Sequence, residues 1–197
     1  MNDTLTCWQL IKEDLTRYTG SRYFDFWKTV RAIYYDEALI VSFLFRICQA
    51  INTIKFRIIR LPLKLVFSLI LYRTWTVMLG IYIDLDATVG KGLYIGHYGG
   101  IFIGPVVLGD YCNISQGVTI GSGRLGTARE GRPTIGHRVY IAPGAKIFGQ
   151  IAIGSNVSIG ANAVVSKNIP DNSIVVGNPG RIVGQQEENI HIHNVFE

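Results

Sequence analysis

The chain has 197 residues, 48% of them hydrophobic, and a formal net charge of +5 at pH 7. This length suits one or two domains, and the hydrophobic content can fill a sizeable core, which excludes a disordered protein. Cys7, Cys48 and Cys112 stand at unrelated spacings that match neither a disulfide framework nor a zinc motif, so we interpret them as reduced thiols of a cytosolic protein. Residues 1–20 are too polar for a signal peptide, and we expect none.

The positive charge is concentrated in the N-terminal part of the sequence. Residues 1–80 hold eleven Lys and Arg against six Asp and Glu, whereas residues 81–197 hold eight of each. Between Ala38 and Ile83 six basic residues and no acid are interleaved with apolar runs, a pattern that favours an anionic membrane surface over nucleic acid as partner. The preferred interpretation is nevertheless a helical domain whose apolar faces pack on each other or on sister subunits. We expect a cytoplasmic protein, with peripheral contact at the inner membrane face as one option, and no spanning helix, because no apolar run reaches roughly 20 residues.

The first part of the chain carries helical signals. Apolar side chains recur at three- and four-residue spacings over residues 8–50. Pro62 interrupts this region and predicts a further short helix that begins near it. Near Gly80 the period changes to six residues, so we predict a helical N-terminal domain over residues 1–80.

An aliphatic residue returns at every sixth position from Ile135 to Val165, and the same period, with a slip of one residue, is found between Ile83 and Ile120. Such a period is typical of hexapeptide solenoids, in which each six-residue unit forms one short strand and turn and three units close one coil. The predicted fold class is therefore mainly β, with a parallel β-helix over residues 81–184. Its thirteen predicted rung residues are Ile83, Val89, Ile95, Ile101, Leu108, Ile114, Ile120, Ile135, Ile141, Ile147, Ile153, Ile159 and Val165.

The six-residue period stops over residues 121–134, where the sequence is polar and rich in glycine. The wall of a solenoid cannot absorb fourteen such residues, so we predict an extended loop that leaves the prism at one corner. Long loops on rigid scaffolds are often functional. The C-terminal tail, residues 185–197, is expected to be mobile or to lean on the last coil.

Three motifs connect the predicted prism to a known family. Residues 95–100 read IGHYGG, residues 114–121 read ISQGVTIG and residues 177–181 read GNPGR. Together with the rungs and the loop, they resemble the serine acetyltransferase branch of the hexapeptide-repeat acyltransferases over about residues 80–184, and only loosely before. The resemblance implies a left-handed β-helix, a homotrimer, and use of acetyl-CoA without a metal in clefts between neighbouring prisms.

The resemblance assigns a catalytic histidine. Acetyl transfer from a thioester to a hydroxyl needs a base for the hydroxyl proton and donors for the tetrahedral oxyanion. His97 matches the catalytic histidine of the family, and an imidazole that titrates near neutral pH suits a base. The family places an orienting acid fifteen positions upstream, where this chain has Tyr82. We predict that Asp84 orients His97 instead, with Asp86, the Tyr82 hydroxyl or a main-chain carbonyl as alternatives.

The residues that would recognise the acceptor depart from the family pattern. The family has an acid directly before the histidine and an Arg-His pair at the end of the extended loop, where this chain has Gly96 and Gly131-Arg132. Without a carboxylate for the ammonium group of an amino acid, we predict as acceptor a sugar hydroxyl of a bacterial surface polysaccharide or its precursor. Tyr98, Gln116 and Arg132 would hold it. Serine O-acetylation in cysteine biosynthesis is the alternative.

The resemblance also implies how acetyl-CoA is held. The family grips the pantetheine arm by main-chain contacts along a groove of the prism, where small side chains leave room for it. The phosphates need cations near the C-terminal end of the groove. The predicted acetyl-CoA residues are Ala142, Pro143, Gly144, Gly160, Ala161, Lys167 and Arg181.

Two other function classes use a similar scaffold. The γ-type carbonic anhydrases bind zinc with three histidines across a subunit interface and need a close histidine pair, whereas His97 and His137 are forty residues apart, so we predict no metal site. A purely structural solenoid would leave His97 and the loop without a purpose. His137, His191 and His193 match no catalytic motif, and we expect them to be surface or structural residues.

Overall fold

The amphipathic N-terminal segments fold into helices, and the six-residue repeats fold into short strands. The computed structural model describes residues 5–21, 23, 25–123, 126 and 130–192. A capping box between Thr6 and Gln9 starts the first helix. The helices are α1 (Cys7–Thr19), α2 (Phe26–Tyr35), α3 (Ala38–Thr53), α4 (Arg57–Lys64) and α5 (Arg73–Leu79), with a π-helical segment (Leu65–Tyr72) between α4 and α5.

The structure corrects the predicted start of the last helix before the prism. Helix α4 begins at Arg57, and Pro62 lies inside it rather than at its start. Proline has no N–H to donate to the helical ladder, and the π-helical segment follows it after two residues. With α5 these segments form one helix, Arg57–Leu79, whose 23 residues are long and apolar enough to cross a membrane by length and composition. The sequence analysis missed this helix because basic residues interrupt its apolar runs.

The predicted prism is confirmed. Each predicted rung residue lies in a strand of its own, and each is 7% exposed or less. The strands are β1 (Ile81–Ile83), β2 (Thr88–Val89), β3 (Tyr94–Ile95), β4 (Ile101–Ile103), β5 (Val107–Leu108), β6 (Asn113–Ile114), β7 (Thr119–Gly121), β8 (Thr134–Ile135), β9 (Tyr140–Ile141), β10 (Lys146–Phe148), β11 (Ala152–Ile153), β12 (Ser158–Ile159), β13 (Val164–Val165), β14 (Ser173–Val176) and β15 (Arg181–Gln185).

From β1 to β13, each strand belongs to a different sheet from the strand before it, and the chain returns to the same sheet after three strands, which close one coil. The five-stranded sheet has the order β1-β4-β7-β10-β13, the four-stranded sheet β11-β8-β5-β2, and the six-stranded sheet β15-β14-β12-β9-β6-β3. All pairs are parallel except β14 with β15, which form the C-terminal hairpin. The fold is a parallel β-solenoid of about five coils, preceded by helices.

The slip in the six-residue period lies at a different place from the predicted one. Ile103, and not Ile101, stacks between Ile83 and Ile120, although Ile101 is buried as well. The rung residue that follows Ile95 is therefore Ile103, eight positions further along the chain instead of six. The two extra residues enlarge the bend that follows β3.

A single apolar core crosses from the helices into the prism. Phe45 of α3 and Tyr72 of the π-helical segment belong to the same buried cluster as Ile81 and Ile83 of β1. Gly80 ends α5 in the left-handed region, with φ at 62°, and turns the chain into β1. The change of period predicted near residue 80 is thus the junction of helix and strand. The division into two domains stays a prediction.

A buried ion pair fastens the helices to the first coil. Arg46 Nε of α3 lies 2.8 Å from Asp14 Oδ2 of α1, and their side chains are 1% and 3% exposed. Arg46 also donates to the carbonyl oxygens of Val89 (2.7 Å) and Gly90 (2.5 Å), while Asp14 Oδ1 accepts from the N–H of Leu93 (2.8 Å). Burial raises the pKa of the Asp14 carboxyl, and the Arg46 guanidinium opposes that rise. The pair therefore joins two helices to the bend between β2 and β3.

We expect Asp14→Ala to lower the free energy of unfolding by about 3–5 kcal/mol, because the buried Arg46 loses its counter-charge. The surface pair of Arg138 and Glu188, at 3.1 Å, offers a control. Glu188→Ala should change the free energy of unfolding by less than about 1 kcal/mol. Chemical denaturation of the three proteins measures both effects. Equal losses for the two variants would show that the buried pair does not hold the helices in place.

Candidate active site

His97 lies in a bend where the chain passes from the six-stranded to the five-stranded sheet. We call this edge of the prism the His97 corner; its bends are residues 96–100, 115–118, 142–145 and 160–163. The rung residues before these bends pair in register from coil to coil. Main-chain hydrogen bonds align Gly99 with Gln116, Pro143 and Ala161 in the bends, and His97 stands two residues before Gly99 in the longer first bend.

Main-chain hydrogen bonds tie the bends of the His97 corner together. The N–H of Gly117 donates to the carbonyl of Gly99 at 2.8 Å, and the N–H of Gly144 donates to that of Gln116 at 2.9 Å. Gly117 and Gly144 have φ values of 71° and 75°, and a Cβ on Gly117 would lie 3.4 Å from the Gly144 Cα. Glycine is needed where successive coils approach so closely. The corner is thus a rigid edge lined by small residues.

Five of the seven predicted acetyl-CoA residues share this edge with His97. Lys167 lies instead in the bend after β13, at the corner where the five-stranded sheet leads to the four-stranded sheet. We call this second edge the loop corner. Arg181 begins β15, and both cations are exposed. The five residues on the His97 corner are Ala142, Pro143, Gly144, Gly160 and Ala161.

A cleft of about 420 Å³ opens beside His97. Its wall is the outer face of the six-stranded sheet, where Tyr94, Asn113 and Tyr140 pair in successive strands. Asp36, which ends α2 and precedes α3, brings a carboxylate to this cleft from the helical part. The cleft beside the catalytic candidate is therefore built jointly by prism and helices.

The first helix positions the wall of this cleft and docks the helical part on it. Tyr18 Oη accepts a hydrogen bond from the N–H of Ile95 at 2.9 Å, and its ring packs against the Tyr94 ring with centroids 4.7 Å apart. Arg17 donates to Asn113 Oδ1. Burial lowers the pKa of Arg17 to about 10, so the guanidinium stays charged at neutral pH. These contacts fix α1 against the strands that carry the cleft.

Gln116 lines the cleft and carries a polar atom without a hydrogen bond among the described residues. In the part of the chain that the structure describes, its Oε1 atom is buried without a hydrogen-bond partner. A buried acceptor without a donor is costly, and a bound molecule with an N–H or O–H group would remove that cost. Gln116 therefore offers an acceptor in the bend directly next to that of His97.

The C-terminal tail leans on the last coils, as one of the two expectations had it. Asn189 is 2% exposed and donates to the carbonyls of Arg138 (3.1 Å) and Val157 (3.0 Å). This anchor places the His191 ring on the Tyr140 ring, with centroids 4.8 Å apart, at the edge of the cleft. The stacking of His191 on Tyr140 agrees with the expected structural role of this histidine. His191 also lines the cleft. His193 lies outside the described residues.

Two predicted site residues lie at the loop corner and not at the His97 corner. Asp84 follows β1, and its carboxylate accepts hydrogen bonds from Tyr82 Oη (3.3 Å) and the N–H of Asp86 (2.9 Å). Arg132 is exposed and precedes β8, at the end of the extended loop; residues 124, 125 and 127–129 of that loop lie outside the described part. Within one chain, neither residue shares a bend with His97.

Tyr98 and His137 complete the set of predicted positions. Tyr98 follows His97 directly and is 55% exposed. The His137 side chain is 62% exposed, and its Nδ1 accepts from the N–H of Asp110 at 3.0 Å. The described residues contain no group of three or more His, Cys, Asp or Glu side chains that could hold a metal ion.

Sequence reasoning missed several residues of the cleft. Asn113 and Tyr140 carried a usable signal, because each directly precedes a rung residue, as Tyr94 does, and so lies on the outer face of the same sheet. Asp36 carried none. It stands more than sixty positions before His97, and only the docking of the helices brings it to the cleft.

Comparison with known proteins supports this description. Residues 132–167 match the family of bacterial transferase hexapeptide (six repeats). The serine acetyltransferase of Staphylococcus aureus is 45% identical over 122 residues, which cover 60% of this chain and 54% of that protein. The solved serine acetyltransferase of Vibrio cholerae superposes with a TM-score of 0.75 at 26% identity, over 93% of this chain and 67% of that one. A serine acetyltransferase solved in complex with CoA gives 0.70 at 26% identity, over 90% and 70%.

The prism is built of hexapeptide repeats, and residues 132–167 of it are similar to the bacterial transferase hexapeptide. The chain spans about half the length of the curated relatives it matches.

The prediction of a sugar hydroxyl as acceptor is wrong, because these relatives and structural neighbours are serine acetyltransferases. It was drawn from Gly96 and Gly131 alone, which lack side chains for a charged acceptor. It overlooked the carboxylate that Asp36 brings to the cleft from the helical part.

The anchor of the tail is open to a direct test. We expect Asn189→Ala to release residues 187–192 from the last coils, at a cost of about 1–3 kcal/mol, because the Arg138 and Val157 carbonyls each lose the hydrogen bond from Asn189. Hydrogen exchange of the tail amides measures the release. The exposed neighbour Glu187→Ala is the control and should leave the exchange unchanged. Unaltered protection in Asn189→Ala would contradict this anchoring role.

Proposed function

We propose that this protein transfers the acetyl group of acetyl-CoA to the hydroxyl of serine. The observation that carries the proposal is the cleft in which Asp36 and His97 lie together. A carboxylate and an imidazole in one cleft suit an acceptor that carries both an ammonium group and a hydroxyl. The likeness to serine acetyltransferases, including one solved with CoA, supports the same assignment.

His97 acts as the base in this proposal. Its neutral imidazole takes the proton of the serine hydroxyl while the hydroxyl oxygen attacks the thioester carbonyl carbon. The tetrahedral intermediate then collapses: the carbon–sulfur bond breaks, and the CoA thiolate takes the proton from the imidazolium. The products are O-acetylserine and CoA, and His97 returns to its neutral form.

Asp36 supplies the recognition that Gly96 does not. Its carboxylate pairs with the ammonium group of serine, and charge-assisted hydrogen bonds of this kind are roughly twice as strong as neutral ones. The Gln116 Oε1 atom, which lacks a partner among the described residues, accepts a further hydrogen bond from the substrate. The two contacts turn the serine hydroxyl toward His97.

A neighbouring chain completes the site. Arg132 lies at the loop corner, so a site that contains both Arg132 and His97 requires two prisms side by side, as in the homotrimer that the family resemblance implies. The planar guanidinium of Arg132 from the neighbour suits the serine carboxylate, because it can donate two parallel hydrogen bonds. Asp84, at the same corner, would approach His97 in the same way.

Acetyl-CoA lies along the His97 corner in this proposal. The small side chains of Ala142, Gly144, Gly160 and Ala161 leave space for the pantetheine arm on the edge that leads away from His97. Arg181 is an exposed cation toward the C-terminal end of the prism, where the phosphates would lie. Lys167 is exposed at the loop corner and would reach them only from a neighbouring chain. This arrangement places the thioester at the His97 end of the groove.

The test of the proposal is the release of CoA from acetyl-CoA with and without L-serine. We expect serine to raise the rate well above background hydrolysis, and His97→Ala to lower kcat by about 10²- to 10⁴-fold, the usual contribution of a general base. His137→Ala, at an exposed histidine outside the cleft, is the matched control and should keep its rate. No response to serine, or full activity of His97→Ala, would overturn the proposal.

A second test addresses the acceptor. We expect Asp36→Asn to raise the KM for serine by about 10- to 100-fold, because the ammonium group loses a charge-assisted hydrogen bond, and to leave the KM for acetyl-CoA unchanged. Glu37→Gln removes the neighbouring charge and serves as control. If both variants raise the KM for serine equally, the effect comes from the local charge and not from a contact with Asp36.

A further inference from the structure

The helix Arg57–Leu79 exposes many large apolar side chains, which together we call its outer face. Only 11% of its most apolar window is buried. The face begins at Ile58, which is 89% exposed, continues through Leu69 at 63%, and ends with Val77 and Met78 at 68% each. Soluble monomers rarely leave so much contiguous apolar surface uncovered, so this face has an occupant.

The opposite face of the helix is held by the protein itself. Ser68, Tyr72 and Thr76 recur at every fourth position and are all buried. Tyr72 Oη donates to the carbonyl of Ile83 and accepts from its N–H at 3.2 Å. A helix inserted across a bilayer would lose these contacts. The occupant of the apolar face must therefore accept a helix that lies flat on the protein.

The charges around this helix indicate which occupant fits. Lys55, Arg57 and Lys64 are exposed near its N-terminal end, and no Asp or Glu occurs between Ala38 and Ile83. A two-fold contact between two copies of the chain would bring the same basic face against itself. An anionic lipid surface neutralises these charges and takes up the apolar side chains between its headgroups.

We propose that the outer face of the helix Arg57–Leu79 binds an anionic lipid bilayer, lying in the plane of the membrane interface. The apolar side chains enter the headgroup region, and the basic residues contact lipid phosphates. The prism stays outside the membrane. This inference is independent of the proposed acetyl transfer, which takes place in the cleft beside His97 and is assayed in solution.

Flotation of the full chain with vesicles tests the proposal. We expect binding to vesicles of phosphatidylcholine and phosphatidylglycerol at low salt, weak binding to phosphatidylcholine alone, and release at about 1 M salt, where charges are screened within about 3 Å. Lys55→Gln/Arg57→Gln/Lys64→Gln should weaken the binding about 10²-fold. Lys12→Gln/Lys28→Gln/Arg31→Gln removes the same net charge from α1 and α2 and should bind like the unmodified chain.

A second variant tests the apolar contribution. Ile58→Ser/Leu69→Ser/Val77→Ser changes only exposed side chains, so the circular dichroism spectrum and serine acetylation should persist while flotation is lost. Absence of flotation by the unmodified chain at low salt would overturn the proposal, as would equal losses in the two charge variants. A smaller assembly for the serine variant in sedimentation, without any vesicle binding by the unmodified chain, would assign the face to another copy instead.

Discussion

The site depends on one buried contact, the ion pair between Asp14 and Arg46. Removing two charges from water is costly, and this pair is tolerated because main-chain groups of the first coil satisfy both partners. The pair thereby fixes α1 and α3 against the prism. The turn that carries Asp36 lies directly before α3, so the position of this carboxylate beside His97 depends on the same clamp.

The regular prism explains why the proposed groove and the proposed base lie on one edge. Strand pairing in exact register stacks the bends of successive coils, and small residues in these bends produce a continuous shallow edge. On this edge of the prism, among the described bends, only the bend after β3 is enlarged, and it is the bend that carries His97. The proposed base thus lies at the one irregular bend of an otherwise regular edge.

The sequence predicted the prism well because its signal is local and repeated: the aliphatic side chain at each rung position by itself indicates a buried residue. His97 was singled out through the motif shared with the family, and the small residues through the groove that the family uses; their roles stay predictions. The helical part carried weaker signals. Pro62 was misread as a helix start, and Asp36 could not be linked to His97, because no short-range pattern encodes the docking of helices on a prism. The wrong acceptor followed from that missing link.

The central claim is that the helical part completes the acceptor cleft, and a crystal structure of the protein with CoA and L-serine tests it most directly. The account predicts the serine ammonium group within hydrogen-bonding distance of the Asp36 carboxylate and the serine hydroxyl directed at His97, with CoA along the His97 corner. Serine bound elsewhere, or bound beside His97 with its ammonium group contacting only the prism, would contradict the account.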